Sequence, residues 1–122
     1  MINMNLLINK ATKVAYMSEV KSGKVGCVLF SNSGHIITAD SNRRVFGHRN
    51  VFTLHAEENV LAKAFKLRAL HRYGKLNVLV VRVKTSLEGI HMAKPCEHCA
   101  ALLNKAGVTV YYSDTNVVIN KL

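Results

Sequence analysis

The Pro95-Cys96-Glu97-His98-Cys99 segment constrains the fold of this chain more than any other feature. Two thiols at Cys-x-x-Cys spacing can face one metal ion from a short turn without straining the backbone, and a tetrahedral ion then needs ligands from elsewhere. His55 offers an imidazole, two residues before the carboxylate of Glu57. Each of these clusters stands at the predicted start of a helix, and a strand-like run lies between them. The fold must therefore bring two helix starts, far apart in sequence, to one point.

The remaining periodicities say what surrounds that point. Leu7, Ala11, Val14 and Ala15 recur at helical spacing and predict an amphipathic helix over about 4 to 21. Lys24 to Phe30 and His35 to Ala39 read as two strands joined by the turn residues Ser31-Asn32-Ser33-Gly34, which makes a hairpin. Asp40 to Leu54 is polar and basic with no sustained period and reads as a loop leading into the site. A second helix follows to about Leu70, with Val60, Leu61, Ala64 and Phe65 as its buried stripe. Leu76 to Val83 is nearly all β-branched residues and Leu, the mark of a central strand covered on both sides.

After a connection from Thr85 to Met92, a third helix starts near Cys96 and stops at Gly107. Val108 to Tyr112 and Val117 to Ile119 are the last strands. Only four turn residues separate them, too few for a parallel crossover, so they form an antiparallel hairpin. The expected fold is α/β: a three-layer α-β-α sandwich around a mixed five-stranded sheet, with residues 1–122 as a single domain.

The donor set fixes the chemistry more narrowly than the fold does. One imidazole and two thiolates leave the fourth place of a tetrahedral zinc to water, the catalytic rather than the structural pattern. Zinc makes such a water acidic enough to yield a nucleophile near neutral pH, and helix N-termini are expected to favour the thiolates. Glu57 is placed to move protons between that water and a leaving amine. Glu58, one residue further round the helix, reads as a charge that suits the helix start. Cys27, inside the apolar run Val25 to Phe30, reads as a small buried hydrophobe, and His48, His71, His91 and His98 carry no assigned role.

His-x-Glu followed by Pro-Cys-x-x-Cys, with a strand between, resembles the cytidine deaminase-like superfamily of zinc-dependent deaminases, and the order of elements agrees over most of the chain. The resemblance implies one zinc per chain on His55, Cys96 and Cys99, with Glu57 as the proton shuttle. It also implies that Asn42 contacts the substrate's sugar, and that the base is recognised by the backbone of Ala56 and by the carbonyl near Lys94, beside Pro95. Asn42-Arg43 is similar to the Asn-Arg of tRNA adenosine deaminases, and the ribose-binding Asn-x-Glu-Asn of free-cytidine deaminases is absent, so the subfamily stays open.

The charge balance bears on the substrate. Seventeen Lys and Arg stand against seven Asp and Glu, a formal net charge of +10. Phosphate-bearing partners fit such a balance. Arg43, Arg44, His48 and Arg49 crowd the segment before His55, which leads to the expectation of cytosine-to-uracil deamination within single-stranded RNA or DNA. A free nucleoside or nucleotide is the alternative substrate, and a zinc-containing binding module without turnover the third reading. No apolar run reaches the length of a membrane span and no leader pattern is seen, so an intracellular, cytoplasmic protein is expected. Self-association is left open.

Overall fold

The structure, a computed structural model, describes residues 2–20, 23–46, 51–83, 90–91, 93–114 and 119–122; for 44–46, 51–54 and 90–91 it describes the backbone. Asn3 caps the first helix, α1 (Met4–Tyr16), its Oδ1 accepting from the Leu6 N–H at 3.2 Å. That helix ends short of the expected residue 21. The reason is Ser18, whose buried hydroxyl turns inward to Asn42 and accepts from the Val20 N–H, giving the chain an alternative to another helical turn.

The two hairpin strands are β1 (Lys24–Ser31) and β2 (Ile36–Ser41), paired antiparallel as expected. The segment expected to be a loop is instead a separate two-stranded antiparallel ribbon, β3 (Arg43–Phe46) and β4 (Val51–Leu54). Its strands are the Val- and Phe-containing ends of that segment, where β-prone residues outweigh the charged neighbours. The second helix also breaks early. α2 (Ala56–Lys66) gives way at Arg68, which takes a left-handed conformation at φ 50°, to the short α3 (Ala69–Tyr73). Ala56, Val60, Leu61 and Ala64 are buried, but Phe65 is 70% exposed, a correction to the expected stripe. On the helix circumference Phe65 lies beyond Leu61, which already sits at the stripe's edge.

β5 (Leu76–Val83) is the central strand. The sheet runs β2-β1-β5-β7-β8, with β7 (Thr109–Ser113) parallel to β5 and β8 (Ile119–Lys121) antiparallel to β7, so the mixed five-stranded sheet and its closing hairpin are as predicted. A two-residue strand, β6 (Ile90–His91), lies within the expected connection and pairs with the end of β5. α4 (Glu97–Lys105) fills the crossover from β5 to β7. Alternation divides the core: Val28, Phe30, Leu79, Val81 and Val83 pack toward α1, whereas Cys27, Leu29, Val78 and Val80 pack toward α2 and α4. The site lies on the second face.

Candidate active site

α2 and α4 begin beside one another. His55 is the N-cap of α2 and Cys96 the N-cap of α4, with Cys99 in the first turn of α4. α2 is held to the sheet edge by Asn59, whose side chain donates to the Ser41 carbonyl at 3.0 Å, and by Lys63, which reaches the Ala39 carbonyl and Asp40. The Ala93 N–H donates to the Ser113 carbonyl at 2.9 Å, tying the Lys94-Pro95-Cys96 approach to the end of β7. α2 is thus tied by side-chain contacts and the approach to α4 by a backbone bond, all made by residues outside the ligand set.

The three predicted ligands converge. The Nδ1 of His55 lies 3.2 Å from Cys99 Sγ and 3.7 Å from Cys96 Sγ, and all three donor atoms fall within 4.8 Å of one another. A tetrahedral ion with Zn–N near 2.0–2.1 Å and Zn–S near 2.3 Å separates nitrogen from sulfur by about 3.6 Å, so this spacing fits one Zn²⁺. The donor types agree, since thiolate and imidazole together suit zinc. The helix start does not by itself give a thiolate at Cys99: burial, then the Glu57 carboxylate, pushes that thiol well up. Displacement of its proton therefore belongs to metal binding.

Glu57 is 6% exposed and lies in the first turn of α2. Burial pushes its pKa up, against the opposing pull of its own backbone N–H, His55 and Cys99. A carboxyl so raised moves toward the range in which it can both take and return a proton. Glu58 is different. Its carboxylate accepts from the His55 N–H at 3.5 Å and lies 3.9 Å from His98, which agrees with its reading as a helix-start charge. Cys27 is fully buried in the core behind the site, its thiol raised by burial and then by Glu57.

One cleft of about 250 Å³ collects most of the expected residues: Asn42, His55, Ala56, Glu57, Lys94 and Cys96 all line it. Pro95 is buried beside it and shapes the chain into Cys96. Asn42 arrives with its amide largely used. Its Oδ1 accepts from the Val25 N–H at 3.0 Å and lies 2.7 Å from the Ser18 hydroxyl, while its Nδ2 donates to the Gly23 carbonyl at 3.0 Å. Of its polar side-chain capacity, one Nδ2 hydrogen is left for a substrate. Arg43 does not line this cleft; its guanidinium pairs with Asp40 at 3.2 Å. The side chains of Arg44, His48 and Arg49 lie outside the described residues.

The cleft also contains a residue that sequence reasoning passed over. Arg82, near the end of β5, lines the wall with Val80, and its signal was the single charge in a strand otherwise almost wholly apolar.

Residues 1–114 match the family described as the cytidine and deoxycytidylate deaminase zinc-binding region. The chain belongs to that family. Its fold is shared with solved deaminases: the dCMP deaminase of the cyanophage S-TIM5 in apo form aligns at a TM-score of 0.63 and 24% identity, over 90% of this chain and 81% of that one. The cytidine deaminase of Burkholderia pseudomallei aligns at 0.66 and 18% identity, over 99% and 92%. No curated protein matches the sequence. Among the described residues, no helix of this family member is long and apolar enough to cross a membrane.

Proposed function

We propose that this deaminase acts on cytosine carried by a nucleotide, replacing the exocyclic amine with oxygen from water. The observation that carries this reading is the shared cleft, in which Glu57, His55 and Cys96 line the same small space. At about 250 Å³ the space is just under the roughly 300–1,000 Å³ of ordinary small-molecule sites, and suits one base with part of its sugar. Zinc held by His55, Cys96 and Cys99 would activate the attacking water. Glu57 would take the proton that water gives up and deliver it to the ring nitrogen and departing amine. Burial of Glu57 keeps bulk water from competing for those transfers. Ala56 and Lys94 flank the cleft, in support of base recognition by the backbone around them.

A free nucleotide such as deoxycytidylate is the preferred substrate form, supported by the size of the cleft, by the pairing of Arg43 with Asp40, and by likeness to a phage dCMP deaminase. Cytosine in single-stranded RNA or DNA is the second reading, favoured by the net charge of +10. The test is to incubate zinc-loaded protein with cytidine, deoxycytidylate, and single-stranded DNA and RNA, following product by chromatography and sequencing. Deoxycytidylate should be converted. Conversion of the strands alone would install the polynucleotide reading, and no conversion of any substrate would leave a zinc-binding module. Glu57→Ala should keep zinc and fold while losing roughly 10²–10⁴-fold in rate.

A further inference from the structure

Arg82 is a charge in an apolar series. On the site face, β5 presents Val78 and Val80 as core residues, and the next alternate position is Arg82. Its cross-strand partner is Val25, which lines the cleft with it. The side chain folds over Gly23: a Cβ on that glycine would lie 2.9 Å from Arg82 Nη2 and 3.2 Å from Nε, so a larger residue there would displace the guanidinium. Nε is buried without a hydrogen-bond partner among the described residues, and no carboxylate among them pairs with the guanidinium. A buried donor left unmade costs free energy, and a guanidinium kept beside a cleft in that state is waiting for an acceptor.

The acceptor can be narrowed by charge and position. Among the described residues, Arg82 and Lys94 bring two cations to the cleft against the single carboxylate of Glu57, and two thiolates would balance a zinc. The cleft is therefore biased toward an anionic guest. Asn42, the expected sugar contact, holds the carbonyl of Gly23, the residue on which Arg82 packs. The Arg82 guanidinium, whose Nε has no partner among the described residues, thus lies beside the Gly23–Asn42 side of the cleft.

We infer that Arg82 binds the phosphate ester carried on the substrate's sugar and makes this enzyme select nucleotides over nucleosides. The inference rests on the deaminase reading for its substrate but, for its residue, on the buried Arg82 Nε that has no partner among the described residues. A guanidinium presents parallel N–H donors that match two phosphate oxygens, which an ammonium cannot reproduce.

The test compares wild type, Arg82→Gln and Arg82→Lys as zinc-loaded proteins. The ratio of kcat/KM for deoxycytidylate to that for deoxycytidine should fall by roughly 10- to 100-fold in Arg82→Gln, through KM, as expected for loss of a charge-assisted hydrogen bond. Arg82→Lys should recover part of it. An equal fall for both substrates would make Arg82 structural or base-binding and overturn the proposal. A single-stranded oligonucleotide with one cytosine separates the phosphate sources: loss confined to it assigns the ligand to a strand diester, loss confined to deoxycytidylate to the monoester.

Binding gives a readout that does not depend on turnover. In Glu57→Ala protein, the Arg82 Nε–H resonance should shift on adding deoxycytidylate and stay in place with deoxycytidine. If the shift occurs and wild type deaminates nothing, the deaminase reading fails while Arg82 stands. If neither nucleotide nor oligonucleotide moves that resonance, the Arg82 proposal fails whatever the reaction.

Discussion

The two faces of the sheet are built from the same two central strands and end in different ways. Toward α1, β1 and β5 contribute Val28, Phe30, Leu79, Val81 and Val83, all buried, and α1 closes over them with Leu7, Ala11 and Ala15. Toward α2 and α4 the alternate positions give Cys27, Leu29, Val78 and Val80, and then the apolar series stops at Arg82 and the cleft begins. The first face is sealed because a helix backbone can touch the sheet. At Gly26, an added Cβ would lie 2.1 Å from the Ala11 carbonyl oxygen. The second face stays open at one end because its helices begin there, and their first turns spend ligands and carboxylates on the cleft instead of on packing. Stability and chemistry are thus separated by strand alternation, and a substitution should report the face it belongs to.

The largest effect is expected on the site face. Cys96→Ala,Cys99→Ala should remove zinc and all deaminase activity, and it should lower the melting temperature, since two helix starts lose their common tie. A chelator acting on wild type should reproduce both changes. Plasma emission spectrometry on the purified double variant decides the matter: stoichiometric zinc in it would move the metal site elsewhere and undo the contrast between the faces.

This part of the molecule was legible because the constraint is local in sequence. Pro95-Cys96-x-x-Cys99 and His55-x-Glu57 each need only a helix start, and the apolar run of β5 placed a strand between them. What was not legible has three separate causes. Charge was allowed to outvote β-propensity at Arg43 to Leu54, where Val45-Phe46 and Val51-Phe52 flank four turn-like residues and form the β3–β4 ribbon. At Arg82 the reverse happened, and seven uncharged neighbours in β5 hid the one charged residue of that strand that lines the cleft. Phe65 failed for a third reason: spacing alone does not say how wide a stripe the sheet covers.

A smaller effect, of the opposite kind, is expected on the α1 face. In a strand, Gly→Ala ordinarily gains about 0.5–1 kcal/mol from backbone entropy. At Gly26 the new methyl would meet the Ala11 carbonyl oxygen at 2.1 Å and the Ala15 nitrogen at 2.7 Å, both backbone atoms within a helix and unable to swing aside. Overpacking of this sort costs roughly 1–3 kcal/mol or more, so the net sign is destabilising. Gly26→Ala should therefore lower the denaturant midpoint while the folded fraction keeps its zinc and its kcat. A variant that folds as well as wild type but loses activity would break the separation of the faces.

The smallest effect sharpens the comparison at the sheet edge, where Asp40 fastens α2 to β2. Asp40 pairs in register with Cys27 and so shares the site face, but its carboxylate serves packing rather than the cleft. It lies 3.2 Å from both Lys63 Nζ and Arg43 Nη2 and accepts from the Ser41 N–H at 2.9 Å. Burial alone would raise its pKa; the Ser41 N–H, Lys63 and Arg43 together outweigh burial and hold it below its ordinary value of 3.8. A carboxyl depressed in the folded state contributes stability that is fully present above the unfolded pKa and is lost as pH falls through the folded one. The window is therefore acidic, below about pH 4, and neutral pH should show no slope from this group. Melting temperatures followed from neutral pH down to pH 3 should fall more steeply below pH 4 for wild type than for Asp40→Asn, which starts lower and carries no such titration. Activity of the folded variant measured near neutrality should stay close to wild type, because none of the residues in the pairs it breaks lines the cleft. A large loss of kcat in Asp40→Asn at unchanged melting temperature would mean that the edge of β2 takes part in the chemistry.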